Sequence, residues 1–180
     1  MDGLISSLIE FKDYLQTNKP DVVCITETKL KDEIKVQFVK EGYDTWRRDR
    51  KGKGGGGVMI LVKQNITVDK VEYGDGMAET ISVAIKSKGS NKKRKIVVTY
   101  VPPRTNAWEI NEYKQMQQET INSITAMIKT DNKVLLLGDF NCKEVNWEEI
   151  ELDEGAGAWG EELLQTMMVN TMNQWVRQAT

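Results

Sequence analysis

A mixed α/β fold, with more strands than helices and sheets covered by outer helices, is predicted by three observations. Short β-branched and aliphatic runs, such as DVVCIT at 21–26, VMILV at 58–62 and VLLL at 134–137, read as buried strands. Two longer segments, 2–18 and 109–129, instead repeat apolar residues at helical spacing. Glycine-rich and polar turns separate the segments, with no linker and no internal repeat. That pattern fits one layered domain over residues 1–180.

Leu4, Ile5, Leu8, Ile9 and Leu15 place an amphipathic helix over 2–18, stopped by Pro20. The strand at 21–26 follows, and a short helix is expected from Asp32. Tyr43–Arg48 and Val58–Val62 read as strands joined by the glycine run 54–57, where a flexible linker fits poorly between two apolar strands. Ile66–Tyr73, Glu79–Lys86 and Lys95–Val101 are further strands, with Gly74-Asp75-Gly76 and Gly89-Ser90-Asn91 as turns. A helix at Glu109–Lys129 has Asn106 as candidate N-cap and Glu109 as its capping-box partner. VLLL at 134–137 reads as the most clearly buried strand. After an acidic loop, Trp159, Leu163, Leu164, Met167, Met168, Met172, Trp175 and Val176 predict a last amphipathic helix.

Composition narrows the function. The apolar share is 39%, no run is long enough to span a bilayer, and the N-terminus has no basic-then-apolar signal pattern. The expectation is a soluble intracellular protein, nuclear or cytoplasmic, not secreted and not membrane-bound, and a monomer by default. Cys24 and Cys142 are too few and too far apart for a disulfide framework. The net charge of −2 hides an uneven distribution. Residues 46–53 (WRRDRKGK) carry five positive charges and one negative, 86–95 (KSKGSNKKRK) carry six and none, and 143–162 are strongly acidic. Most charge runs are solvated faces, but a basic patch on an acidic chain is what phosphate-backbone binding requires. The chain contains no histidine, so any hydrolytic mechanism must do without the commonest general base near neutral pH.

Three polar clusters end apolar strands, where a rigid scaffold presents reactive groups. They are Thr26-Glu27-Thr28, Thr99-Tyr100-Val101-Pro102-Pro103 and Gly138-Asp139-Phe140-Asn141. Carboxylate and amide oxygens suit Mg²⁺ and not the Cys/His chemistry of zinc. Taken singly each is weak. A strand-end glutamate is usually a solvated residue, Gly-Asp-x-Asn is more often a turn, and Tyr100 beside two prolines is readily explained by packing. Their joint occurrence in this order carries the signal.

ITETK at 25–29, TYVPP at 99–103 and GDFN at 138–141 resemble the glutamate, tyrosine and Asp-x-Asn motifs of the endonuclease/exonuclease/phosphatase superfamily. KPDVVCITETKL, RRDRKGKGGGGVMILV, VVTYVPPRTNAW and LLLGDFNCKEVNWEE resemble the endonuclease of vertebrate LINE-type retrotransposons. The resemblance implies a four-layer α/β/β/α sandwich with its active site at one edge. It also implies Mg²⁺-dependent nicking of DNA, with Mn²⁺ as the alternative ion, to give the 3′-hydroxyl that primes reverse transcription. Carried over, Glu27 would hold Mg²⁺, Tyr100 would stabilise charge on the phosphate, and Asp139 would orient or deprotonate the attacking water. Asn141 would hydrogen-bond the phosphate. Arg47, Arg48, Arg50 and Lys51 are candidate phosphate contacts.

The chain departs from the family pattern in three places: an asparagine ending a first strand, a later aspartate, and a C-terminal Asp-His pair. The expectation is therefore an incomplete sandwich, lacking the first strand and the C-terminal strands, with raw sheet edges and no nicking by this chain alone. The competing readings are a non-catalytic transposon remnant that binds nucleic acid or another partner, and a phosphatase acting on small phosphoesters.

Overall fold

The computed structural model describes residues 3–86, 93–129 and 133–175. Its elements run α1 (Leu8–Asn18), β1 (Val22–Thr26), β2 (Tyr43–Arg48), β3 (Val58–Lys63), β4 (Thr67–Tyr73), β5 (Glu79–Lys86), β6 (Lys93–Tyr100), α2 (Ile110–Ile128), β7 (Val134–Asp139), β8 (Val145–Asn146), β9 (Glu151–Leu152) and α3 (Ala158–Val169). One sheet has the order β1-β3-β2 and is antiparallel throughout. The second has the order β4-β5-β6-β7, in which only the β6–β7 pairing is parallel. That parallel pair needs a crossover, and α2 supplies it. β8 and β9 form a small hairpin inside the acidic loop, which the sequence reading left without structure.

Period-2 alternation sorts the sheets into layers. Val58, Ile60 and Val62 of β3 face Ile81, Val83, Ile96 and Val98 of the other sheet. The intervening Met59 and Leu61 face Leu8, Phe11 and Leu15 of α1. On the far side, Val101 packs with Met116, Ile124, Ile128, Leu163 and Met167 of α2 and α3. The result is helix, sheet, sheet, helices: a mixed α/β sandwich of four layers.

Several boundaries differ from the sequence reading for physical reasons. The first helix starts at Leu8 and not at residue 2, because the Leu4 amide donates to the Thr28 carbonyl and holds the preceding turn against the end of β1. No helix forms from Asp32. The carbonyls of Lys31 and Ile34 accept from the Arg47 guanidinium, with only an isolated turn between them. The capping box at Asn106 and Glu109 is absent, since α2 begins at Ile110 with Glu109 as a cap that makes no side-chain bond. The last helix stops at Val169, where the amides of Asn170, Thr171 and Met172 fold back onto Thr166, Met168 and Met167. Trp175 is consequently 85% exposed, and Val176 lies outside the described residues.

The largest correction concerns VLLL. β7 is an edge strand, partly exposed along its length, and Leu135 is 47% exposed. β1, one of the two edge strands of the other sheet, is half-buried throughout. The outer edges β2 and β4 carry Asp44, Arg47 and Arg48, and Asp69, Lys70 and Glu72. In β1 and β7 the only charged residue is Asp139.

Candidate active site

Strand register builds one side of the site. Glu79 on β5 is paired with Tyr100 on β6, and Tyr100 with Asp139 on β7. Ile81, Val98 and Leu137, two residues back along each strand, all face the space between the sheets. By alternation Glu79, Tyr100 and Asp139 therefore form one row across the end of the sheet, directed towards the other sheet. The segments that follow β1 and β2 close on that row from the opposite side.

Glu27 leaves β1 with φ at +56°, and Lys29 has φ at +54°. Such left-handed positions are uncommon for residues with side chains and persist only where neighbours impose them. Here the neighbours are the glycines: Thr28 N–H donates to the Gly57 carbonyl at 3.2 Å and Lys29 N–H to the Gly56 carbonyl at 2.7 Å. A Cβ on Gly57 would meet the Thr28 hydroxyl at 2.6 Å, and φ there is +88°. The glycine run is thus the second half of the 49–57 connection between β2 and β3, and it packs against the Glu27 loop. The Glu27 carboxylate is half-exposed and lies 3.6 Å from Lys29 Nζ.

Asp139 and Asn141 sit on the open edge. The Asp139 side chain accepts from the Asn141 amide at 3.1 Å, and Asn141 has φ at +43°. Asn141 Nδ2 donates to the Val101 carbonyl at 2.9 Å, tying this loop to the one after Tyr100. Trp159 Nε1 donates to the Phe140 carbonyl at 3.1 Å, which fixes the same loop to α3. Gly138 admits the close pairing, because a Cβ there would lie 2.0 Å from the Thr99 carbonyl oxygen.

Tyr100 is buried, and its phenol is pushed above the ordinary tyrosine value first by burial and next by the Glu27 carboxylate. The Arg50 guanidinium pulls it back down, while Asp139 and Glu79 add to the rise. The phenol therefore stays protonated near neutral pH and can donate a hydrogen bond. The Tyr100–Asp139 register pair, and the bonds that tie the Glu27 loop to Gly56 and Gly57 beside Glu79, bring all three strand-end motifs to one end of the sandwich.

The basic residues are placed differently. Arg47 is held by the Ile34 and Lys31 carbonyls and by Asp49 at 3.1 Å. Arg48 donates to the Gly76 and Ala78 carbonyls. Arg50 pairs with Glu79 at 2.5 Å and stacks near Tyr100 and Trp108, 5.7 and 5.5 Å from the ring centroids. Lys51 is exposed. In the second basic segment residues 87–92 lie outside the described residues, while Lys86 and Lys93 both pair with Asp69 and Lys95 with Glu72. Six of these basic side chains, Arg47, Arg48, Arg50, Lys86, Lys93 and Lys95, are thus engaged within the fold.

Sequence reasoning missed Glu79 and Trp108. A signal for Glu79 existed: it shares parity with Ile81, Val83 and Ile85, so a charge stands on the inward face of a strand. Trp108 carried no comparable sign. Among the described residues no group of three or more His, Cys, Asp or Glu side chains could hold a metal ion. A single accessible carboxylate such as Glu27 fits a hard cation that keeps most of its water, as Mg²⁺ does, and does not fit a closed protein cage. No helix of the described residues is long and apolar enough to cross a membrane.

Comparison with known proteins adds three findings. The Endonuclease/Exonuclease/phosphatase family matches residues 6–167. An exodeoxyribonuclease of Bacillus subtilis (strain 168) is 26% identical over 144 residues, covering 80% of this chain but 55% of that protein, so the chain spans about half its length. The fold is similar to that of the Neisseria 3′ phosphatase NExo bound to product DNA hairpin (TM-score 0.65, 17% identity, 92% of this chain and 68% of that one). It is also similar to an AP endonuclease from Archaeoglobus fulgidus (TM-score 0.63, 21% identity, 93% and 67%).

Proposed function

This chain belongs to the endonuclease/exonuclease/phosphatase family, and on that premise we propose that its site acts on DNA phosphodiesters with a divalent cation, Mg²⁺ first, held by Glu27. The observation that carries the reading is the row of Glu79, Tyr100 and Asp139 facing the Glu27 loop at one end of the two sheets. Nucleases of this family are generally divalent-metal dependent. The cation, when bound, polarises a phosphate oxygen and offsets charge at phosphorus.

In the proposed reaction Tyr100 donates its phenolic hydrogen to a phosphate oxygen, and Asp139 aligns the attacking water and takes its proton. Asn141 commits one Nδ2 hydrogen to Val101 and keeps the other for the phosphate. The water oxygen bonds to phosphorus as the bond to the 3′ oxygen breaks, and that oxygen takes a proton from solvent water, leaving a 5′-phosphate and a 3′-hydroxyl. Such an end would prime reverse transcription, and the LINE-type resemblance of residues 19–30, 47–62, 97–108 and 135–149 is what supports that finer role. Lys51 is the exposed cation of the 46–53 segment proposed to meet the DNA backbone.

A second reading, a nucleic-acid-binding module without catalysis, is favoured by one observation: no histidine is present to complete the proton transfer. The experiment is Mg²⁺ titration and supercoiled-plasmid nicking by the 180-residue chain, beside Glu27→Gln and Asp139→Ala. Nicking by the unaltered chain, lost in both variants, shows that the residues present suffice and that these two are required. Metal binding lost in Glu27→Gln, with salt-sensitive DNA binding and no nicking, favours the second reading. Metal binding that ignores Glu27 overturns the assignment of the ligand.

A further inference from the structure

Glu79 is a charge buried to 2% exposure at the end of a strand, and burial pushes its carboxyl upward against the pull of the Gly57 amide and Arg50. Burying a carboxylate is costly unless every oxygen is engaged. Both are. One oxygen accepts from the Gly57 N–H, and the other takes the Arg50 Nε at 2.5 Å. A Cβ on Gly56 would meet Glu79 Oε2 and the Arg50 guanidinium within 2.5 Å, so only glycine lets the loop close over the pair.

Each oxygen leads to a different part of the site. From Gly57 the contacts continue through its carbonyl to Thr28 N–H, and through the Gly56 carbonyl to Lys29 N–H, fixing the residues directly after Glu27. From Arg50 they continue to the rings of Tyr100 and Trp108, while Arg50 Nη1 returns to the Gly54 carbonyl at 3.1 Å. A hydrophobic side chain could fill this space but could not accept from two donors. Glutamine would present one acceptor and one donor, setting its NH₂ against either an amide or a guanidinium.

We propose that Glu79 is the positioning residue of the site, holding the Glu27 loop and Tyr100 in fixed relation through Gly57 and Arg50. It lies behind Gly57 and touches no reacting atom. Its part in metal binding rests on the functional reading above; its part in ordering the Glu27 loop does not.

Amide hydrogen exchange on the full 180-residue chain tests the ordering. In Glu79→Gln the Thr28 and Lys29 amides are expected to exchange about tenfold faster, as for a lost buried hydrogen bond, while the Ile60 and Val83 amides keep their protection. Unchanged protection at Thr28 and Lys29 overturns the proposal, and so does acceleration shared equally by Ile60 and Val83, the mark of a merely structural role. Should Glu79→Gln fail to fold, Arg50→Lys carries the test. It keeps the charge but cannot span Glu79, Gly54 and the two rings, so Lys29 must lose protection there too, and an unaltered Lys29 overturns the proposal. A parallel Mn²⁺ titration is expected to show about tenfold weaker binding in Glu79→Gln, the usual size for a residue that orients a ligand without touching the metal. Mn²⁺ affinity equal to that of the wild type overturns the metal part of the proposal. A wild-type chain that does not bind Mn²⁺ through Glu27 removes the functional reading, and the exchange result still decides the positioning role.

Discussion

The two sides of the site are built by opposite means. On the Arg50–Glu79 side a buried carboxylate and a largely buried guanidinium are closed over by glycines whose backbone leaves no room for side chains. On the Asp139–Asn141 side Asp139 sits exposed at the end of an edge strand, Asn141 is partly buried in the loop that follows, and both are held mainly by hydrogen bonds that involve the backbone. Rigidity comes from burial on the first side. On the second, groups that must reach solvent and substrate are fixed through the chain beneath them, and their side chains stay accessible.

The strongest way to break this contrast is to truncate each side in turn. Glu79→Ala leaves Arg50 buried without its partner and is expected to cost about 3–5 kcal/mol in chemical denaturation. Asp139→Ala, on the exposed edge, is expected to stay within about 1 kcal/mol of wild type. Similar losses in the two variants would erase the distinction.

A smaller effect separates the backbone constraints. Gly138→Ala sets a Cβ against the Thr99 carbonyl and is expected to cost about 2–3 kcal/mol. Gly42→Ala, at φ +89° with open space around it, is expected to cost about 1 kcal/mol from its backbone conformation alone. Equal midpoints on denaturant unfolding would show that the β6–β7 pairing yields more readily than the geometry implies.

Interior and edge strands give the next comparison. Val98 is fully buried between the sheets, and Val98→Ala is expected to cost about 2 kcal/mol, against under about 1 kcal/mol for Leu135→Ala on half-exposed β7. The smallest effect lies far from the site. Asp69, hydrogen-bonded to Lys86 and Lys93, has its carboxyl held down to about 2. A carboxyl lowered on folding adds stability above its ordinary value of 3.8 and loses it as pH falls towards about 2. The difference in Tm between wild type and Asp69→Asn should therefore be present at pH 5, shrink through that window, and weaken with added salt. A difference that grows on acidification would contradict the pairing.

How much of this was legible beforehand follows the range of the forces involved. Strand positions were visible because β-branched runs such as DVVCIT and VMILV declare themselves locally. The three polar motifs were visible for the same reason, each sitting directly at the end of its run. What escaped depends on partners distant in sequence. That VLLL lies at an edge follows from the sheet order and not from its own residues. The segment after Asp32 has helical composition, yet its carbonyls are taken by Arg47 from another strand. Arg47, Arg48 and Arg50 looked like free cations because a sequence does not display the carbonyls and the Glu79 carboxylate that engage them. Glu79 was readable in principle, but only to a reader who had already decided which face of β5 points inward.

The uneven protection of the sheet edges bears on how this protein behaves in concentrated solution. β2 and β4 present charged side chains to any approaching strand, and such charges deter growth by strand addition. Among the described residues no strand pairs with the outer side of β7, which runs through Val134, Leu135, Leu136 and Leu137 without a proline or a charge until Asp139. Segments of that kind template self-association, and neighbouring residues act as gatekeepers against it. Colloidal stability should then be governed less by the net charge of −2 than by a handful of side chains on one edge. A single lysine in place of Leu135 would raise the attainable concentration more than several charges added elsewhere.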